Sequence, residues 1–265
     1  MAKVMAVVNQ KGGVGKTTTS IHLSAAFALM KRRVLLVDLD PQGNATTGSG
    51  IDKMRERTAQ DILLGRSDMA STIVRTEIGY DLLPANNELI VAEVALLQLP
   101  EREYRLKKML ATITNQYDYI FIDCPPSLTI LTVNALTAAH SVVIPVQCEF
   151  FALEGLSGLL NTIQQIQETI HPTLTIEGVL RTMYDGRNRL TLDVSAQLQM
   201  HFPDRIYRTV IPRNIRLAEA PSHGVSVFQY DEKSQGAVAY LTLAGEMLQR
   251  ADVSRKIKEP KETVV

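Results

Sequence analysis

Short apolar runs alternate along the chain with longer amphipathic stretches. Runs at Val4 to Val8, Val34 to Val37, Tyr80 to Leu83, Tyr119 to Ile122, Val142 to Val146, Ile176 to Met183 and Tyr207 to Ile211 predict strands. Apolar residues at helical spacing predict helices over Thr18 to Met30, Ala59 to Leu64, Ile90 to Leu99, Arg102 to Gln116, Thr129 to Ala138, Leu153 to Ile170, Leu192 to His201 and Gly236 to Arg250. Hydrophobic strands interleaved with helices imply an α/β fold, a mainly parallel, doubly wound sheet with helices on both faces. Ligands of such sheets bind at the carboxyl ends of the strands. No repeat, low-complexity linker or Pro/Gly-rich hinge divides the chain, so residues 1–265 read as one domain. The stretch from Asp252 to Val265 is charged, contains Pro260 and lacks an apolar stripe, which predicts a frayed tail.

Composition narrows the classes. With 265 residues and 45% hydrophobic content the chain is long enough for one substantial core. Its longest apolar stretches are strand-length, far short of a bilayer span. The N-terminus shows no signal pattern, and Ala2 stands where myristoylation needs glycine, so a cytoplasmic protein is expected. Two cysteines, Cys124 and Cys148, make no disulfide framework. Net charge is zero, yet from Arg181 to Arg216 seven arginines face three aspartates with no lysine or glutamate. That local excess is compatible with a phosphate-binding face, though composition alone favours solvated surface charge with one or two arginines used on nucleotide.

The candidate chemistry begins at Asn9-Gln10-Lys11-Gly12-Gly13-Val14-Gly15-Lys16-Thr17-Thr18-Thr19, set between a predicted strand and a predicted helix. Gly12, Gly13 and Gly15 let the backbone turn its N–H groups inward, and the helix starting near Lys16 adds its positive end to the same anion site. Lys16 is placed to reach β- and γ-phosphates, and the Thr17 hydroxyl to ligate Mg²⁺. Hydrolysis also needs a carboxylate for the metal. Asp123 ends the apolar run Tyr119-Ile120-Phe121-Ile122 at the ligand edge of the sheet, followed by the stiff turn Cys124-Pro125-Pro126-Ser127, a candidate switch. A second acidic pair, Asp38 and Asp40, lies in Val37-Asp38-Leu39-Asp40-Pro41-Gln42-Gly43-Asn44.

The loop departs from G-x-x-x-x-G-K-[ST], because Gln10 occupies the first glycine position. In this form, with its extra Lys11, it resembles the deviant phosphate loop of the ParA/MinD class of P-loop ATPases. The resemblance runs from residue 3 to about residue 250. It includes Leu153-Glu154-Gly155-Leu156 and the block Ile211 to Gly224, and in that block is similar to the chromosomal ParA (Soj) branch. It implies an ATPase using ATP and Mg²⁺, with Thr17, Asp38, Asp40 and Asp123 around the metal and Asp40 positioning the attacking water. Nucleotide contacts would come from Lys11, Gly12, Gly13, Val14, Gly15, Lys16, Thr17 and Thr18, with Met183, Pro212, Arg213 and Asn214 around adenine. Lys11 would cross to the phosphates of a partner subunit in an ATP-bound sandwich homodimer, so Lys11, Lys16 and Asp40 form the expected catalytic set. Arg187 and Arg216, with Arg189 added, would bind nonspecific double-stranded DNA through its phosphates. The implied role is ATP-dependent DNA partitioning on the nucleoid, with hydrolysis stimulated by a ParB-type centromere-binding protein.

Rival classes share parts of this pattern. A MinD-type membrane ATPase needs a C-terminal amphipathic helix, whereas Ser254 to Val265 offers Ile257 as its only large apolar residue before Val264 and is interrupted by Pro260. An iron–sulfur carrier needs paired cysteines, and the chain has no C-x-x-C. His22 and His140 read as packing or surface residues, and the scattered tyrosines form no stacking platform for single strands.

Overall fold

Alternate residues of the first strand enter two separate cores. Val4, Ala6 and Val8 join one apolar cluster and Met5 and Val7 the other, as a strand covered on both faces requires. The computed structural model describes residues 2–258, with side chains through Val253. Among these, one seven-stranded sheet is built from β1 (Lys3–Val7), β2 (Val34–Asp38), β3 (Val74–Arg75), β4 (Asp81–Leu83), β5 (Tyr119–Asp123), β6 (Ser141–Gln147) and β7 (Thr175–Thr182). Its order is β3-β4-β2-β5-β1-β6-β7, and every pairing is parallel except β3 with β4. The helices are α1 (Lys16–Leu29), α2 (Asn44–Gly48), α3 (Ala59–Leu64), α4 (Met69–Thr72), α5 (Leu89–Leu96), α6 (Arg105–Ala111), α7 (Ile130–Ala138), α8 (Ala152–Thr169), α9 (Arg189–His201), α10 (Ile215–Glu219), α11 (Val227–Tyr230) and α12 (Gln235–Lys258). Helices α1 and α12 fill the cluster on one face, while α3, α5, α6, α7, α8 and α9 contribute to the other. This is the expected doubly wound α/β architecture, with the ends of β1, β2 and β5 converging at one edge.

The expected strand over Tyr207 to Ile211 does not form. That segment meets the outer edge of β7 through isolated bridges, Val179 with Ile206 and Tyr184 with Pro212, and through main-chain bonds at its two ends, the Tyr207 N–H donating to the Val179 carbonyl (3.0 Å) and the Ile211 N–H to the Arg181 carbonyl (2.9 Å). Between those ends side chains take the backbone groups. Arg181 donates to the carbonyls of Tyr207 (2.8 Å) and Arg208 (3.2 Å), and the Glu246 carboxylate accepts from the N–H groups of Arg208 (2.9 Å) and Thr209 (3.0 Å). The expected helix over Arg102 to Gln116 is likewise shorter. A 3-10 turn at Arg102–Tyr104 precedes α6, and buried Asn134 fixes the junction by donating to the Arg102 carbonyl (2.8 Å) and accepting from the Leu106 N–H (3.1 Å). At the C-terminus α12 runs through Lys258, into the stretch expected to fray. Residues 252–258 contain no Gly or Pro, and extending an existing helix is far cheaper than starting one. Residues 259–265 lie outside the described residues.

In β7 the register skips Glu177, so that Gly178 pairs with Val143 and lies directly under the ring of Tyr207. An added Cβ at Gly178 would sit 2.5 Å and 2.7 Å from that ring and 2.9 Å from the Arg205 carbonyl oxygen. Gly178→Ala is expected to lower stability by about 1–3 kcal/mol through overpacking. Gly245→Ala, in the open interior of α12 with nothing within 4 Å, is expected to raise it by up to about 1 kcal/mol. Urea denaturation of the two variants checks both signs.

Candidate active site

Between β1 and α1 the chain makes its tightest turn. Gly13 (φ 75°) and Gly15 (φ 86°) occupy left-handed backbone, and Gly15 caps α1. Gly12 and Gly13 are exposed and a Cβ at either would meet nothing within 4 Å, so the loop is open to an approaching phosphate. Two side chains splint it: Asn9 accepts from the Lys11 N–H (2.9 Å) and donates to the Pro145 carbonyl (2.7 Å), and Thr182 donates to the Val14 carbonyl (2.8 Å). Lys16 is buried and its Nζ rests on the Lys11 carbonyl (3.1 Å). Burial lowers its pKa against the pull of Asp123, Cys124 and Asp40. Lys11 is half-buried and its Nζ pairs with Glu149 Oε2 at 2.7 Å.

Asp123 is wholly buried at the end of β5 and takes a hydroxyl on each oxygen. Thr17 donates to Oδ2 and Ser20 to Oδ1, both at 2.8 Å. Asp38 lies beside it in register on β2, and burial with this second carboxylate pushes the Asp123 pKa up to about 8, the two hydroxyls opposing. Asp38 rises to about 6, chiefly by burial. Its Oδ1 accepts from the Asp40 N–H (3.2 Å), and its Oδ2 from the Thr46 N–H (2.8 Å) and hydroxyl (2.7 Å). Asp40 is buried at 8% exposure and accepts from the Gln42 N–H (2.9 Å). Two neighbouring buried carboxylates with no counter-cation among the described residues beyond Lys16 fit a divalent metal, and Mg²⁺ uses one or two carboxylates completed by phosphate and water.

On the other side of the loop opens a largely apolar cavity of about 360 Å³, whose lining includes Thr18, Met183, Pro212, Arg213, Asn214 and Tyr240. Met183 adopts left-handed backbone (φ 48°) as β7 ends. Asn214 Oδ1 is buried with no hydrogen-bond partner. An orphaned acceptor costs free energy unless a ligand supplies a donor, and an adenine amino group is such a donor. The residues therefore fit a flat base beside a phosphate cradle.

The three arginines lie beyond this cavity. Arg187 is 91% exposed and forms a two-pronged pair with Asp185 (2.9 Å on each arm). Arg189 is exposed at the start of α9. Arg216, on α10, pairs with Glu219 (2.7 Å) and Asp231 (3.4 Å) over the Tyr230 ring. The bridge between Tyr184 and Pro212 ties the segment bearing Arg187 to the one bearing Arg216.

A family model described as an AAA domain matches residues 2–176. The sporulation initiation inhibitor protein Soj of Bacillus subtilis is 53% identical over 249 residues, 93% of this chain and 98% of that protein. The chromosome partitioning protein ParA of Caulobacter vibrioides is 50% identical over 252 residues, 94% of each. The chain belongs to the ParA/Soj family of chromosome-partitioning ATPases. A crystal structure of cobyrinic acid a,c-diamide synthase from Mycobacterium smegmatis with bound ADP and magnesium matches at TM-score 0.85 and 41% identity, over 97% of this chain and 98% of that one. The cell division ATPase MinD of Pyrococcus furiosus, 24% identical, shares the fold at TM-score 0.79, over 94% of this chain and 100% of that one.

Three side chains of the site lie outside the sequence motifs. Ser20 stands three residues after Thr17, so both hydroxyls share one face of α1, a spacing that could have flagged it. Glu149, the partner of Lys11, and Thr46, the partner of Asp38, carry no motif signal; only tertiary approach reveals them.

The raised Asp123 pKa has a consequence for stability. A carboxyl whose folded pKa lies above its unfolded value holds a proton only in the folded chain, so its contribution is complete below about pH 4 and is lost as pH rises towards about 8. Ligand-free protein is expected to lose stability across that window, and Asp123→Asn to flatten the loss. Urea unfolding at pH 6, 7 and 8 measures it; a slope unchanged by the substitution would refute the assignment.

Proposed function

We propose that this chain is an ATP-dependent DNA-partitioning protein whose ATP-bound sandwich dimer binds DNA nonspecifically and is released when a ParB-type partner stimulates hydrolysis. The observation that carries the reading is the division of the site. A phosphate loop closed by Thr17 and Asp123 lies on one side and an apolar cavity with an unpartnered Asn214 oxygen on the other, in a chain half identical to chromosome-partitioning proteins. ATP and Mg²⁺ are the cofactors this arrangement fits, and related structures carry ADP or an ATP analogue with magnesium. Bound Mg·ATP supplies the phosphoanhydride bond and the cation that neutralises charge on its oxygens.

Lys16 and the N–H groups from Gly12 to Thr18 hold phosphate, while Met183 and Pro212 to Asn214 hold the base. Thr17 and Asp123 serve the metal, with Asp38 behind them. Asp40 orients the attacking water. Lys11 acts across the dimer: released from Glu149, it places a positive charge on the partner's nucleotide, so assembly and hydrolysis are coupled. Arg187, Arg189 and Arg216 supply a sequence-blind face for duplex DNA on the nucleoid, strengthened when two copies act together.

Two other readings are less well supported. A MinD-type membrane ATPase would rest on Ser254 to Val265, whose side chains lie outside those described; among the described residues no helix is long and apolar enough to cross a membrane. Amide synthesis, suggested by the name of the Mycobacterium relative, rests on that likeness alone, and the buried cysteines Cys124 and Cys148, whose pKa values burial raises, offer no poised thiol for taking ammonia from an amide donor.

The test is binding to nonspecific duplex DNA with Mg·ATP, with ADP and without nucleotide. Binding is expected only with ATP, to persist in Asp40→Ala and to disappear in Arg187→Ala/Arg216→Ala. If residual binding is measurable at low salt, removing four arginines per dimer should cut the slope of log affinity against log salt by about 3 to 4. ATP-dependent dimerisation without DNA binding at any salt would redirect attention to vesicles.

A further inference from the structure

The segment from Asp38 to Thr46 is folded onto a single hydroxyl. Thr46 is wholly buried in α2, where its Oγ1 donates to Asp38 Oδ2 (2.7 Å) and accepts from the Ala85 N–H (2.9 Å) just past the end of β4. Its one donor is thereby spent on the acidic cluster, and one of its two acceptor lone pairs on the backbone just past a neighbouring strand. The Thr46 N–H adds a second donor to the same carboxylate oxygen (2.8 Å), while the other oxygen receives the Asp40 N–H (3.2 Å). Three donors thus converge on Asp38, which leaves it an organiser of its surroundings more than an open ligand. The loop is also pressed against the same strand end. Gly43 sits in left-handed backbone (φ 62°), and a Cβ there would lie 2.6 Å from the Ala85 carbonyl oxygen.

We propose that Thr46 is a positioning residue for hydrolysis, acting through Asp38 to fix the backbone of Asp40 and anchoring that arrangement to the end of β4. The proposal rests on the reading of Asp40 as the residue that orients water. A buried hydroxyl bridging a carboxylate to a main-chain amide has one geometry that satisfies all partners, and its loss leaves the Ala85 N–H without its acceptor and Asp38 with one donor fewer. Asp40, held through its N–H by Asp38, then loses its fixed aim. Nucleotide binding, which draws on the phosphate loop and the Asn214 cavity on other segments, is not affected.

Thr46→Val keeps shape and removes the hydroxyl; Thr46→Ser keeps the hydroxyl. In ligand-free protein, amide hydrogen exchange at Ala85 is expected to accelerate in the valine variant and stay slow in the serine variant. In steady-state ATP hydrolysis, Thr46→Val is expected to lower kcat roughly 10- to 100-fold with KM for ATP nearly unchanged, and Thr46→Ser to restore it. Combined with Asp40→Ala, Thr46→Val should cost nothing further, since both act on one step. Should the valine variant fail to fold, Thr46→Ala removes the hydroxyl without setting a methyl against the carboxylate and faces the same criteria. A kcat unchanged without the hydroxyl, no rescue by serine, or additive losses with Asp40→Ala would each overturn the assignment. Wild-type protein that hydrolyses no ATP with or without DNA and partner would instead defeat the ATPase reading on which it rests.

Discussion

A carboxylate sealed between two hydroxyls of one helix is the constraint on which the rest of the site depends. Asp123 binds Thr17 and Ser20, one turn apart on α1, and so fixes both the direction and the rotation of that helix against β5. Once α1 is fixed, so is its N-terminus, and with it the ring of N–H groups after Gly12. The Asp123 carbonyl also accepts from the Leu39 N–H (3.0 Å), which draws the acidic loop after β2 to the same point. Burying Asp123 beside Asp38 opposes ionisation of the pair, because neither charge would have solvent and, among the described residues, only Lys16 lies near as a counter-charge. The hydroxyls and N–H groups around the pair offset part of that cost, and a divalent cation would offset the remainder. The shape of the site thus depends on this one carboxyl group and its partners.

That dependence explains what could be read in the sequence. The sheet was legible because parallel strands buried on both faces must be apolar throughout, and the phosphate loop because its glycines and lysine have a backbone reason to sit between strand and helix. Asp123 was legible from its place at the end of an apolar strand. Ser20, Thr46 and Glu149 were not, because an ordinary serine, threonine or glutamate gains a role only when segments far apart in sequence meet. The same logic accounts for Tyr207 to Ile211. Apolar residues there pack as a strand's would and its two ends bond to β7, but Arg181 and Glu246 take the backbone groups between them, and no hydrophobic pattern reports such a side-chain substitution.

The charge pairing of the ligand-free chain bears on how binding is gated. Lys16 rests on the Lys11 carbonyl, Lys11 on Glu149, Arg187 on Asp185, and Arg216 on Glu219 and Asp231. Each is a cation that the proposed cycle assigns to a phosphate, and each already has an acceptor within the chain. Apart from buried Lys16, these are exposed or half-exposed ion pairs worth about 0–1 kcal/mol, so they do not lock the side chains; a phosphate group with several strong acceptor oxygens displaces the carboxylate at little cost. They do neutralise the long-range field, in keeping with a chain whose net charge is zero. A lone subunit therefore has little electrostatic pull on DNA. In the proposed dimer two copies would double a weak local attraction, and because effective concentration multiplies rather than adds, modest arginine patches would become sufficient only there. Under that proposal, overall neutrality with cations held loosely on carboxylates would make nucleotide-dependent assembly, and not the monomer's charge, the determinant of DNA affinity.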